Sequence, residues 1–568
     1  MSDSQTGADL FVDALSQYGV SRVFGNPGTT ELPVLNALAD SNLEYVLGLH
    51  EDIAVGMAAG YASTRRYHGH NQEHDQDAHA NPPVGVVNLH ITPGLAHGLG
   101  NLFAAKWAGA PVVVTAGNHE LDFRHEEPLL SGDLEAMVEQ FTKFSAEVTD
   151  VNALPLLLRR AFRTALTPPM GPVFLALPMD VMLAETDDEP QRLGAVPNAG
   201  RGDPAQLEQA ATALAEATEP MLVVGDHVAR AGAVDSGVEL AEATGARVHG
   251  EILACEVNFP GDHEQWLSYL PPAEGIASML MNTDTIVFVG CSTNTTLMRH
   301  ENALVDDATT CIHISDAPAE IGKRQPADVA IIGDPGLVMD DLAERVQQRL
   351  SDEKREERLE SVRTMKQSIS GIVKSMGEDE TPAGETRASK AELVDTMRSV
   401  APECYIVDEG ITAKYPLLTR WPMSKQQFIS NKGGGLGYGL PASVGAAIAE
   451  AETDDPRDVV GYIGDGSYLY YPQTLYTAAR YDIDLTVVVP DNRNYRILKD
   501  NTNAIFGGDD EDHTFVGMDF EPPVDIPMNA ESHGARGHLV ETPDEIEETF
   551  EETLSTTGPD VLDVLVHD

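Results

Sequence analysis

Positive charge is what this sequence has least of. Lys and Arg number 37 among 568 residues, against 91 Asp and Glu, for a formal net charge of −54. A surface of that sign repels phosphate backbones and anionic headgroups, which argues against nucleic acid and membrane surfaces as partners. Cysteine is scarce too. Cys255, Cys291, Cys311 and Cys404 are widely spaced and form no C-x-x-C pair, so neither a disulfide framework nor a zinc site is expected. The opening MSDSQTGADL has no basic stretch leading into an apolar one, and no run reaches 18 uncharged apolar residues. No secretory leader or membrane span is expected, and the expected location is the cytoplasm.

What is present is an ordinary globular balance, 42% hydrophobic and 23% charged. At roughly 150 residues per domain, the chain has room for three or four domains. The acidity has its own consequence. Self-repulsion weakens a compact state in dilute buffer and salt screens it, so the composition points to a salt-rich cytoplasm, as in a halophile.

Residues 1–185 alternate helical periodicity with short apolar or β-branched runs at Arg22–Phe24, Tyr45–Leu49, Val84–Leu89, Val112–Thr115 and Val173–Leu177. Helical stretches at Ile53–Arg66 and Ala96–Ala108 separate some of them. Residues 190–350 repeat the style, with strands expected at Met221–Val224, Thr285–Val289, Thr310–Ile314 and Val329–Ile332. Residues 351–390 read as a charged linker, its first half a solvated helix. A third unit, 391–568, has strands expected near Tyr405–Val407, Val459–Ile463, Leu485–Val489 and Val561–Val566. Three α/β domains with doubly wound parallel sheets are the expected fold. The polar stretch 66–83, with His68, His70, His74 and His79, reads as a surface loop.

Parallel sheets bind ligands beyond the carboxyl ends of their strands. There the first unit carries GNPGTTE (25–31) with Thr29, then His50-Glu51, then His90 followed by ITPG, then AGNHE (116–120). The third unit carries Gly464-Asp465-Gly466-Ser467 after one strand and Asp491-Asn492-Arg493-Asn494-Tyr495 after the next. Asp465 and Asn492 are one β-α-β crossover apart and are expected at neighbouring strand ends. A carboxylate and a neutral oxygen there suit Mg²⁺, which completes its octahedron with phosphate oxygens and water. Glycine lets the backbone approach a diphosphate, and Ser467 can donate to it.

These residues resemble the thiamine-diphosphate-dependent enzymes over nearly the whole chain, as pyrimidine-binding, central and diphosphate-binding domains. FGNPGTTELP, the NLH at His90 and GGLGYGLPA most resemble the benzoylformate decarboxylase branch. The resemblance implies that Glu51 activates a thiamine diphosphate held by the other subunit, in a homodimer or homotetramer with sites at the subunit interface. It implies Asp465, Asn492 and the Asn494 carbonyl as Mg²⁺ ligands, and Leu436, beside Gly434, as the apolar wedge under the cofactor. Thr412, Gly466, Ser467 and Tyr495 complete the cofactor site. His90 matches a proton-transferring histidine, and Thr29 stands where that branch has a serine. The implied reaction is non-oxidative decarboxylation of a small 2-oxo acid, with an acetolactate synthase-like carboligase as the alternative. Asp491 departs from the usual Asn-Asn pair, Arg496 stands where glycine is common, and no second pocket histidine can be placed: Cys291–Leu297 lacks one and His300 is displaced. A dinucleotide oxidoreductase built on GGGLGYG (433–439) fails on glycine spacing and lacks a ribose-binding acid. A noncatalytic binding subunit has no need of Glu51, Asp465 and Asn492 together.

Overall fold

The computed structural model describes residues 5–71, 82–291, 299–375, 382 and 384–568. Its core is three six-stranded parallel sheets. The first runs, edge to edge, Glu44–Leu47, Arg22–Gly25, Gly85–Leu89, Val112–Asn118, Val173–Pro178, Ser145–Glu147. The third has the same winding: Phe428–Ser430, Tyr405–Glu409, Val459–Ile463, Leu485–Asp491, Pro559–Leu565, Arg536–Val540. The middle sheet is wound outward from Pro220–Val224 and Thr285–Val289. The expected three-domain α/β fold is what forms. Central strands such as Val459–Ile463 and Thr285–Val289 are buried along their whole length, as sheets covered on both faces require.

Four strands of these three sheets were not legible in the sequence: Ser145–Glu147, Arg247–Gly250, Trp266–Tyr269 and Arg536–Val540. Three of them are sheet edges, where one side lacks a neighbour and an apolar run is not needed. The expected helix Ala96–Ala108 is two helices, Ile91–His97 and Leu99–Ala108, which meet at Gly98. The surface-loop reading of 66–83 is corrected at its start. Residues 66–71 continue the helix Glu51–Asn71, and His68 Nε2 lies 2.9 Å from a carboxylate oxygen of Glu450. His74 and His79 lie outside the described residues.

The first and third domains share one hydrophobic core. The helices Glu51–Asn71 and Gly439–Glu450 cross so closely that a Cβ on Gly445 would lie 1.9 Å from the Met57 carbonyl oxygen. A Cβ on Gly60 would lie 2.2 Å from that of Ala442. Segment 351–375 contains the helix Asp352–Ser375. One face of it docks on the middle domain, where the buried Arg358 donates to the carbonyls of Thr244, Leu214, Ala215 and Ala217. Lys432 joins the third domain to the middle one: its ammonium is buried against Asp226 and, at 2.6 Å, Glu251. Asp226 and Glu251 hold it protonated well above the usual lysine range, although burial works the other way.

Candidate active site

Strand order in the third sheet reverses between Tyr405–Glu409 and Val459–Ile463, and a crevice opens there beyond the strand ends. All nine residues proposed from the sequence as cofactor contacts line one cavity of about 900 Å³ at that place: Thr412, Gly434, Leu436, Asp465, Gly466, Ser467, Asn492, Asn494 and Tyr495. Its far wall is apolar and includes Trp266 and Leu270 of the middle domain. The local reasons are visible. Gly464-Asp465 turns the chain from strand into the short helix Asp465–Tyr468. A Cβ on Gly466 would strike the Tyr495 ring at 2.5 Å. Gly434 has φ +74° and Gly437 φ +97°, a region that side chains disfavour.

Glu409, expected from the resemblance near the cofactor but given no role there, organises the turn that carries Leu436. Its buried carboxylate accepts from Asn431 Nδ2 at 2.8 Å and from the N–H groups of Gly437, Tyr438 and Gly439. Burial pushes its carboxyl up to about 7, against the pull of those donors. Lys432 pins the same turn from the other end.

The acidic corner of the cavity has unsatisfied oxygens. Asp465 Oδ2 and Asn494 Oδ1 are buried with no hydrogen-bond partner among the described residues. Burial, and then the adjacent Asp491 carboxylate, raise the Asp465 carboxyl well above its ordinary range. A buried carboxylate oxygen and a buried amide oxygen without partners, beside the Asp491 carboxyl, form a hard-oxygen donor set that fits Mg²⁺. Asn492 lines the same corner, and its Nδ2 donates to Asp568 at 2.6 Å. Asn494 Nδ2 donates to the other oxygen of that carboxylate at 3.0 Å.

Glu51, His90 and Thr29 do not line this cavity. They stand at the switch point of the first sheet, grouped around two glycines. A Cβ on Gly94 would lie 2.9 Å from Glu51 Oε1 and 3.0 Å from His90 Cβ, and one on Gly28 would collide with the His90 ring. Thr29 is exposed, whereas Thr30 is buried and donates to Glu31 Oε1 at 2.7 Å. Glu31 escaped the sequence reading. It is buried and accepts four hydrogen bonds: from Thr30, from the N–H groups of Ile91 and Gly117, and from His90 Nδ1 at 2.9 Å. Its only signal was its position in the GNPGTTE turn. His97 and Asp52, which neighbour Glu51, were missed as well. Backbone strain gathers at these strand ends, with positive φ at Ile91, Ile411 and Arg493. Segment 292–298, searched for a second histidine, lies outside the described residues. His300 Nε2 is 3.0 Å from the carbonyl of Pro272 in the cavity wall.

Each domain matches a family model. Residues 5–142 match the N-terminal TPP binding domain of thiamine pyrophosphate enzymes, 207–342 their central domain and 412–564 their C-terminal TPP binding domain. The chain is 28% identical to the benzoylformate decarboxylase of Pseudomonas aeruginosa, over 97% of each chain. It is 27% identical to the acetolactate synthase isozyme 2 large subunit of Escherichia coli, over 99% of this chain and 95% of that one. Among solved structures it resembles the thiamine diphosphate-dependent 4-hydroxybenzoylformate decarboxylase of Rhodococcus jostii, with TM-score 0.83 and 27% identity over 99% of both chains. The benzoylformate decarboxylase of Polynucleobacter necessarius is similar at TM-score 0.83 and 25% identity, again over 99% of both. Among the described residues no helix is long and apolar enough to cross a membrane.

Proposed function

This chain belongs to the thiamine pyrophosphate enzyme family, and on that premise we propose that it decarboxylates a small 2-oxo acid without oxidation. The proposed cofactors are thiamine diphosphate and Mg²⁺, in an oligomer whose sites lie between subunits, in a salt-rich cytoplasm. The observation that carries the reading is the Glu31–His90 pair beside Glu51. It sets an imidazole able to carry a proton at the same strand ends as the candidate activating carboxylate. The match to benzoylformate decarboxylase over 97% of both chains supports it.

Bound thiamine diphosphate supplies a carbon nucleophile and takes up the electron pair released with carbon dioxide. The chain's own residues have separable tasks. Asp465, Asn492 and Asn494 would hold the cation, and Thr412 and Ser467 would offer hydroxyls to the diphosphate. Leu436, on the turn fixed by Glu409 and Lys432, supports the cofactor from its apolar side. Glu51 holds a proton at the pyrimidine end. His90 keeps Nδ1 on Glu31, which leaves Nε2 to take or return a proton. Thr29, exposed beside it, would meet the substrate.

A carboligase would use the same cofactor residues, and the similarity to acetolactate synthase supports that second reading. The test is carbon dioxide release from aliphatic and aromatic 2-oxo acids at high KCl, with products identified. Aldehyde from one acid supports the decarboxylase. Acyloin or acetohydroxy acid as the main product supports the carboligase. No turnover of any acid, with cofactor and Mg²⁺ bound, overturns both.

A further inference from the structure

Glu51 sits in a cluster drawn from three parts of the chain. His97, last residue of the helix Ile91–His97, places Nδ1 3.2 Å from Glu51 Oε2. The His50 ring stacks on His97 at 5.1 Å between centroids, and Tyr471 of the third domain packs on His50 at the same distance. His50 is fixed in turn by the Asp52 N–H, which donates to its Nδ1 at 3.1 Å. Tyr471 donates its hydroxyl to Asp52 Oδ2 at 2.9 Å. The Glu51 side chain is 12% exposed and that of His97 59%. The imidazole is therefore a polar contact between a largely buried carboxylate and the open crevice.

We propose that His97 is a positioning residue: it anchors Glu51 through Oε2 and leaves Oε1 to meet the ligand. The inference rests on the reading of Glu51 as the carboxylate that faces the cofactor. Oε1 lies against Gly94, where a Cβ would come within 2.9 Å of it and 3.0 Å of the His90 Cβ, so the lack of a side chain at Gly94 is what leaves that oxygen room. A glutamate otherwise turns freely about its last torsion, and holding one oxygen converts a mobile acid into one with a single approach. His50, held by backbone and ring contacts, keeps the His97 ring in place by stacking. The helix break at Gly98 ends the helix on this residue. His50, Glu51 and His97 also present donor atoms within 4.8 Å of one another, and a cation held there would replace the direct contact.

The test uses the full chain with ¹⁵N-labelled histidine, free of cofactor and in EDTA. The His97 signal is assigned by its loss in His97→Asn. Glu51→Gln is expected to move the His97 Nδ1 signal and leave that of His90 in place. In the loaded enzyme, His97→Ala is expected to keep cofactor affinity within about tenfold and to lower kcat by about 10- to 10²-fold, the cost of slack in a reacting group. His97→Asn, which retains a donor near the same place, is expected to recover most of that loss. An unmoved His97 signal in Glu51→Gln overturns the proposal. So does a signal that responds to added Zn²⁺ and not to Glu51, or parental kcat in both His97 variants. If no 2-oxo acid is turned over, the proposed function fails, and the spectra still decide whether His97 holds Glu51.

Discussion

The Glu31 carboxylate and the His90 imidazole are held together at the end of the first sheet, with Oε2 2.9 Å from Nδ1 and the glutamate side chain fully buried. The acid comes from the turn after one strand and the base from the end of its neighbour, Gly85–Leu89. With Nδ1 facing the carboxylate, Nε2 is the ring nitrogen left to exchange a proton. His90→Ala should keep cofactor binding and slow turnover by about 10²–10⁴, the usual scale for a lost acid–base group. Glu31→Gln should slow it less and lower the melting temperature, since a buried acceptor of four donors is disturbed. Steady-state kinetics with melting curves checks both. Unchanged turnover with lost stability would assign His90 a structural role.

Glu51→Gln should separate binding from chemistry. The carboxylate and the proposed diphosphate site lie in different domains, so cofactor affinity should stay within about tenfold, or ~1.4 kcal/mol. Turnover should fall at least about 10²-fold, or ~2.7 kcal/mol of transition-state stabilisation. Exchange of the bound cofactor's C2 proton, read by NMR after acid quench, is the direct measurement. Equal exchange in parent and variant would remove Glu51 from the mechanism.

Asp465→Ala should abolish Mg²⁺-dependent binding of thiamine diphosphate and leave the fold intact. The orphaned Asp465 Oδ2 and Asn494 Oδ1 motivate this. Calorimetric titration with Mg²⁺ and with EDTA checks it. Binding by the parent that ignores EDTA would show that no cation bridges the site.

Lys432→Met should be strongly destabilising. It leaves the buried carboxylates of Asp226 and Glu251 without their ammonium, and breaking such a pair costs about 3–5 kcal/mol. Arg230, 3.7 Å from Asp226, keeps the loss toward the lower end. Because Lys432 also pins the turn that leads to Leu436, cofactor affinity should weaken in the same variant. Denaturant melts and a cofactor titration measure the two effects, and a stable variant with parental affinity would deny the turn its anchor.

Melting temperature should rise with KCl. The net charge of −54 is the reason. The Debye length shrinks from about 10 Å at 0.1 M to about 3 Å at 1 M, which screens the self-repulsion. A flat or falling melting curve over that range would count against a salt-rich cytoplasm.

Strands buried on both faces are the plainest in the sequence, although the edge strands Glu44–Leu47 and Val329–Ile332 were read and the buried Arg247–Gly250 was not. Val459–Ile463 and Leu485–Asp491 read as apolar runs because helices cover them on either side. Ser145–Glu147 and Arg536–Val540 did not read as strands, since an edge with partly exposed residues needs no apolar run. The cofactor motif was legible for a related reason. A backbone that must approach a diphosphate demands glycine, and Gly464–Ser467 and Asp491–Tyr495 each keep their polar groups within a few residues.

Alternating β and α runs, the Gly-Asp-Gly-Ser turn and the acidity were therefore determined by the sequence alone, because each is a local or additive property of the residues. The tertiary structure decided which charges meet. Glu31 reaches His90, His97 reaches Glu51, and Lys432 reaches Asp226 across 59, 46 and 206 residues of chain. No periodicity encodes such contacts. They exist because strand order and domain packing bring distant segments together, and because a buried charge must find a partner where it is buried.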